Sequence, residues 1–235
     1  MLQIPDDRPS IPADHAVPAY LKDTYNWAYL DPRNTRLLDN EAVVGVILFG
    51  NHVRLRNAAL AEIKPGQSVL QAAHVYGTYI PEIARRVGPT GSLDSIDIAP
   101  IQAALCRRKL WGMKQAHARI ADASKPGDGL YDVVSCYFLL HEVPDDMKQA
   151  IVTALLERVA PGGRAMFVDY HRPSRLHPLR GFYRKLFEKL EPFALSMWDH
   201  EIRDLGADAA AFEWSKQTFF GGVFQKTVAR RRVST

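Results

Sequence analysis

The chain has 235 residues, 47% of them hydrophobic, which is enough to bury one sizeable core and favours one domain with a terminal extension over two full domains. A balance of 30 Lys and Arg against 26 Asp and Glu leaves a net charge of +4, too even to imply a nucleic-acid partner from totals. Cys106 and Cys136 lie far apart within expected regular structure and read as reduced thiols, and nothing resembles a secretory signal or a spanning helix, so a cytoplasmic protein is expected.

Residues 1–18 hold four prolines and few large apolar side chains, the composition of an extended arm. Tyr20, Leu21, Tyr25, Trp27 and Tyr29 then follow helical spacing until Asp31-Pro32 breaks it; this aromatic helix either packs across a sheet edge or forms a lid. Asp39 is expected to cap an apolar helix over 41–49, and Gly50-Asn51 separates it from a second helix ending near Ile63. These helices precede the sheet, so 1–63 reads as an N-terminal arm with helices and 64–235 as the sheet domain.

A turn over 64–67 leads into a strand over 68–72, and a helix over 80–87 is stopped by Gly88 to Gly91. The strand over 92–98 carries Asp97 near its end, twenty positions after Gly77. An acid there accepts hydrogen bonds from both hydroxyls of a ribose, and strand, acid and spacing together favour that role over capping the helix at 100–110. A third strand over 116–121 ends in Asp122-Ala123, placed to meet an adenine ring. The apolar strand over 131–140 is followed by His141-Glu142 at the carboxyl end, where chemistry gathers in such sheets. A helix over 146–159, a Pro161-Gly162-Gly163 terminator and a strand over 164–170 continue the alternation of a parallel sheet. The chain leaves the sheet over 172–210, with a helix over 176–190 and a further helical lid over 192–208. Strands over 213–220 and 223–229, joined at Gly221-Gly222, form an antiparallel hairpin, and Arg230 to Arg232 read as a solvated tail.

Val69-Leu70, Asp97-Ile98, Asp122-Ala123, Tyr131 to Val134, Leu140-His141 and Pro161-Gly162-Gly163 together resemble a class I S-adenosylmethionine (SAM)-dependent methyltransferase over residues 64–230. Within that superfamily the chain resembles quinone-ring methyltransferases, and Val75-Tyr76-Gly77-Thr78-Tyr79 looks like the signature of the rhodoquinone-biosynthesis methyltransferase-like proteins. The resemblance implies a seven-stranded Rossmann-like α/β fold, mostly parallel with the antiparallel C-terminal hairpin. It also implies conversion of ubiquinone to rhodoquinone, a ring methoxy group being replaced by an amino group with SAM as nitrogen donor and manganese (Mn2+) required. An ordinary quinone C- or O-methyltransferase and a non-catalytic binding module are the alternatives; retention of Asp97 and Asp122 opposes the last.

The resemblance places SAM on Gln71, Ala73, Gly77, Asp97, Ile98, Asp122 and Ala123. Such enzymes carry acidic-x-Gly-x-Gly-x-Gly after the first strand; here Gln71, Ala73, Val75 and Gly77 occupy those positions, so only the last glycine survives. β-branched Val75 resists positive φ and Ala73 adds a methyl where backbone touches ligand, so the loop must reroute or hold the methionine arm differently. A carboxylate at position 71 would hold the ligand's ammonium and raise its pKa, whereas the neutral amide of Gln71 leaves more free, nucleophilic amine.

Tyr76 and Tyr79 are candidates for donating to a developing enolate oxygen, or they fill space left by glycine; His141 is a candidate base, and His74, free to point into solvent, is assigned no role. Asp169 and His171, sharing a face by alternation, with His141 and Glu142 at the neighbouring strand end, are the metal-ligand candidates, and manganese there would polarise a quinone carbonyl. The helix over 176–190 alternates Leu176, Leu179, Tyr183 and Phe187 with Arg175, Arg180, Arg184, Lys185 and Lys189. It either packs on its own domain or faces the inner membrane to collect a long-tailed quinone, giving a cytoplasmic protein peripherally associated with that membrane.

Overall fold

A computed structural model describes residues 17–232. The proline-rich arm expected over 1–18 falls almost entirely outside them.

The sheet is built outward from β1 (Ser68–Ala72), which pairs in parallel with β2 (Ser92–Asp97) on one side and β4 (Tyr131–Tyr137) on the other. With β3 (Ala116–Ile120), β5 (Val159–Tyr170), β6 (Phe212–Phe219) and β7 (Phe224–Arg231) the spatial order is β3-β2-β1-β4-β5-β7-β6. β7 runs antiparallel to β5 and to β6, so the sheet is the seven-stranded, mostly parallel one expected, closed by an antiparallel hairpin. The order reverses between β1 and β4, and a crevice opens there above the carboxyl ends of the strands, where ligands bind in such sheets.

Alternation along the strands divides two cores. Val69, Val133 and Met166 face one side, packed with Leu55, Ala59 and Ile63 of the preceding helical segment and with Ile80 and Ile83. Leu70, Val134 and Phe167 face the other, packed with Val152 and Leu155. Each fully buried Leu or Ile contributes roughly 1.5–3 kcal/mol. Cys106 and Cys136 are buried and unbridged.

Helices α1 (Ala19–Thr24), α2 (Pro32–Leu38), α3 (Glu41–Ile47) and α4 (His52–Leu60) precede β1. A π-helical turn, Asn26–Leu30, follows α1. Asp31-Pro32 starts a helix as well as ending one: Asp31 accepts the backbone N–H groups of Arg33 and Asn34, and Pro32 takes the first helical position, where no N–H is needed. Asp39 does not cap α3. Asn40 does, accepting the Ala42 N–H, and Asp39 turns instead to the ligand loop.

After β1 come α5 (Tyr79–Val87), α6 (Pro100–Lys109) and α7 (Asp145–Glu157). Pro161-Gly162-Gly163 is not a terminator ahead of the strand but lies within β5, where pairing jumps from Tyr131–Val159 to Val133–Arg164. Gly163 is required by crowding, since a Cβ would come within 2.9 Å of the carbonyls of Ala160 and Asp132. In the insertion, α8 (Arg180–Leu190) starts four residues later than the amphipathic spacing predicts, and the expected second helix is a set of short 3-10 turns, Leu195–Trp198 and Ile202–Leu205. Arg230 and Arg231 are not a tail: both lie in β7, Arg230 pairing with Glu62 at 2.9 Å and Arg231 donating to the Val159 carbonyl.

Candidate active site

The loop after β1 is held from beneath, above and behind. Gln71 is fully buried, and its Nε2 donates to the carbonyls of Ala72 and Ala73, both at 3.0 Å. That side chain therefore braces the loop and lines neither cavity described below. Ala73 takes φ +68° and Gly77 φ +82°, the left-handed region, whereas Val75 is absent from that set. The chain thus keeps a glycine-like turn at an alanine, at a cost of about 1–2 kcal/mol. A Cβ at Gly77 would also lie 2.7 Å from Glu41 Oε2, which would have to shift. Asp39 accepts the Gly77 N–H and pairs with Lys109 at 2.5 Å, while Lys109 Nζ donates to the carbonyls of Val75 and Gly77.

The first cavity, of about 50 Å³, lies over the ends of β1, β2 and β3 and is lined by Ala73, His74, Asp97, Ile98, Asp122 and Ala123, among others. Asp97 accepts the His74 N–H on Oδ2 and the Ala99 N–H on Oδ1, and burial pushes its carboxyl up to about 6. Asp122 accepts the Ser124 N–H at 2.8 Å. An acid at the tip of β2 and a carboxylate beside small apolar residues at the tip of β3 fit the ribose and adenine of an adenosyl ligand.

The second cavity, of about 150 Å³, is walled by Tyr25, Trp27, Tyr29, Tyr79, Tyr137, Phe138 and Tyr170, and carries His141, Glu142 and Glu191 in an apolar surround. Tyr29 donates to Glu142 and Tyr25 donates to Glu191 at 2.8 Å. Burial pushes both carboxyls up. Burial alone would push His141 down, but the Asp169 carboxylate 2.9 Å from its Nδ1 outweighs it and holds the imidazole above its ordinary range. The site therefore combines a charged His141–Asp169 pair with a proton-bearing Glu142. Three residues, Tyr29, His74 and Glu142, line both cavities.

Tyr76 and Tyr79 line this cavity with their hydroxyls already engaged. Tyr76 donates to the Ala28 carbonyl at 2.6 Å and accepts from Gln102 Nε2, its ring stacked on Tyr29 at 5.7 Å. Tyr79 is paired with Ser135 Oγ at 2.8 Å and stacks on Tyr137 at 4.1 Å.

The expected metal set does not assemble. Asp169 spends its oxygens on the N–H groups of Leu140 and Tyr170 and on His141. β5 ends at Tyr170, so the alternation that would put His171 on the same face stops one residue short. His171 bonds to the Gly222 carbonyl and lies near Lys216 and Glu201 in a separate recess. Among the described residues no group of three or more His, Cys, Asp or Glu side chains is placed to hold a metal ion, so the residues present do not fit the manganese site expected.

His74, to which the sequence assigned no role, is buried. Glu191, Tyr25 and Tyr29 were not among the expected site residues. The i, i+4 spacing of the two tyrosines is a legible helix signal, but nothing local marks their carboxylate partners.

Residues 69–163 match the family described as "Methyltransferase domain". The chain is 28% identical over 212 residues to an uncharacterized methyltransferase of Synechocystis sp., covering 87% of this chain and 94% of that protein. It is 26% identical over 136 residues to the ubiquinone/menaquinone biosynthesis C-methyltransferase UbiE of Shewanella halifaxensis, covering 54% of this chain and 53% of that protein. A SAM-dependent methyltransferase from Aquifex aeolicus superposes with a TM-score of 0.56 at 19% identity, over 85% of this chain and 97% of that one. The fold is thus similar to that of SAM-dependent methyltransferases, and residues 69–163, running from β1 into β5, are the stretch that matches the methyltransferase-domain family.

Proposed function

We propose that the protein converts ubiquinone to rhodoquinone, with SAM seated in the Asp97–Asp122 cleft and the quinone ring in the aromatic cavity. The observation that carries this reading is the rebuilt first turn. Position 71 offers an amide whose NH2 group is spent on its own backbone and whose buried Oε1 has no partner, so no carboxylate there holds the ligand's amino group as an ammonium. The amine attacks the ring carbon bearing methoxy, the electron pair moves to the quinone oxygen, and proton-bearing Glu142 donates to that oxygen. Collapse returns the oxygen's proton to Glu142 and expels methoxide, which leaves as methanol with the proton released by the amine; loss of the α-proton from the N-linked adduct then sends two electrons into the quinone ring and forms an N=Cα imine, and its hydrolysis by water breaks the bond from nitrogen to the α-carbon, leaving the amino-quinol and the 2-oxo acid of the ligand.

The relative named as a ubiquinone/menaquinone C-methyltransferase and the His141–Asp169 pair support a second reading, ordinary methyl transfer to a quinol, in which His141 in its neutral form takes the hydroxyl proton. Incubation with ubiquinone and SAM carrying 15N in the amino group or 13C in the methyl group separates the two by mass spectrometry of the quinone. Nitrogen label supports amination; methyl label establishes the second reading; bound SAM with neither label leaves a binding module. The same spectra identify the carbon skeleton left when the nitrogen parts from its α-carbon.

No helix among the described residues is long and apolar enough to cross a membrane. A long-tailed quinone would instead be drawn from the membrane surface through the exposed apolar rim formed by Trp27, Ile47, Phe49 and Phe182, with Phe49 and Phe182 in ring contact at 6.2 Å. Beside it, residues 172–190 carry six Arg and Lys against one Glu, a charge complementary to anionic headgroups.

A further inference from the structure

We infer that His74 Nε2 accepts a hydrogen bond from the amino group of SAM at the junction of the two cavities, which makes His74 the residue that aims this nitrogen at the acceptor. The inference rests on the proposed aminating reading and adds the group that positions the amine.

The tautomer follows from a chain of fixed donors. Gln102 Nε2 faces the Tyr29 carbonyl at 2.7 Å and the Tyr76 hydroxyl at 2.9 Å. A carbonyl only accepts, so this end of the amide is the NH2 group and the other end, Oε1, is an acceptor. Oε1 lies 2.8 Å from His74 Nδ1, so Nδ1 carries the hydrogen. Burial, with the positive charge of Lys109 behind the loop, pushes the imidazole down to about 4, so at neutral pH the ring is uncharged and Nε2 is a bare lone pair.

That lone pair has no partner. His74 is 7% exposed, its Nε2 is a buried atom without a hydrogen bond, and the residue lines both the adenosyl cleft and the aromatic cavity. A buried acceptor left unpaired is costly, and a ligand N–H placed there recovers that cost. A bare acceptor also discriminates: it repels a carboxylate oxygen and selects an N–H or O–H donor. The quinone offers neither, whereas the amino group offers N–H. A neutral acceptor raises the pKa of an amine less than a carboxylate does, and the Lys109 charge acts in the same direction.

The test uses calorimetric titration with two probes, S-adenosylhomocysteine, which keeps the amino acid end, and 5′-methylthioadenosine, which lacks it. His74→Phe keeps a ring and removes the acceptor, and is expected to weaken S-adenosylhomocysteine on the order of tenfold while leaving methylthioadenosine unchanged. His74→Gln, which can donate to Gln102 and present its own oxygen to the junction, is expected to restore most of the loss. Equal weakening of both probes, or weakening of neither, would overturn the assignment. Thermal melts of both variants separate misfolding from lost contact. If the discrimination is present but no 15N reaches the quinone, the His74 contact stands and the aminating function falls; if 15N is transferred but the discrimination is absent, the reverse holds.

Discussion

Asp97 accepts the backbone N–H of His74 at 2.8 Å, so the acid placed for the ribose and the loop placed for the methionine arm form one hydrogen-bonded unit. Burial pushes the Asp97 carboxyl up to about 6. Ribose hydroxyls donate to the ionised form, so affinity for S-adenosylhomocysteine should be flat above about pH 7 and fall roughly tenfold by pH 5, the ionised fraction dropping tenfold per unit below the pKa. For the empty fold the sign is opposite. A carboxyl whose folded pKa exceeds its unfolded value binds protons more readily when folded, so its contribution to stability grows as pH falls through 6 and is lost as pH rises through it. Weakened binding at pH 5 with an unchanged or higher melting temperature is the expected pair of results. Affinity that stays constant down to pH 5 would remove Asp97 from the ribose role.

Ala73 occupies a left-handed conformation that costs an alanine about 1–2 kcal/mol and a glycine almost nothing. Glycine also loses more entropy on folding, about 0.4–1 kcal/mol. Ala73→Gly should therefore stabilise the protein by about 0.5–1 kcal/mol, raising the melting temperature by about 1–4 °C at this chain length. Gly77→Ala should move it the other way, because φ is +82° and the new methyl meets Glu41. A lower melting temperature for Ala73→Gly would show that the alanine methyl makes contacts worth more than the strain.

Local chemistry made the sheet readable. β1 coincides with the expected 68–72 strand because a short apolar run is bounded by a Pro-Gly turn and a polar loop, and Asp97 and Asp122 stand at strand ends because βα alternation puts them there. What escaped was set by distant partners. His74 looks like a solvent-facing loop residue until Gln102, 28 positions on, covers it. Tyr25 and Tyr29 read as an aromatic helix stripe, while their carboxylates, Glu191 and Glu142, are 166 and 113 positions away. The metal reading failed because alternation was extended one residue beyond the end of β5.

Lys148 is fully buried, and its ammonium donates to the carbonyls of Val143 and Phe193, to Asp145 and to Ser196 Oγ, at 2.8–3.1 Å. It ties α7 to the 193–198 segment. Lys148→Met keeps the apolar stem but leaves the Val143 carbonyl without a donor and the Phe193 carbonyl with Ser196 Oγ alone, and should destabilise the fold by about 2–3 kcal/mol. Chemical denaturation measures this directly; a loss below about 1 kcal/mol would mean water replaces the ammonium.

Val46 is 77% exposed and Phe49 36% exposed at the corner of α3 and α4, beside the mouth of the aromatic cavity. Arg184, Lys185 and Lys189 lie on the exposed face of α8, whose Phe182 touches Phe49. If this rim meets the membrane, the two sets act through different terms. Each basic residue near an anionic surface contributes about 1 kcal/mol and each inserted apolar side chain roughly 1.5–3 kcal/mol. In vesicle flotation, Arg184→Glu/Lys185→Glu/Lys189→Glu should lower binding to phosphatidylglycerol-containing vesicles by at least about a hundredfold and leave weak binding to phosphatidylcholine unchanged. Val46→Glu/Phe49→Glu should lower both. Because neither set touches the adenosyl cleft, calorimetric affinity for S-adenosylhomocysteine should stay at the wild-type value in each variant. Undiminished flotation of the α8 triple variant would rule out that helix as the anchor, and undiminished flotation of the Val46/Phe49 variant would separate the cavity mouth from the membrane altogether.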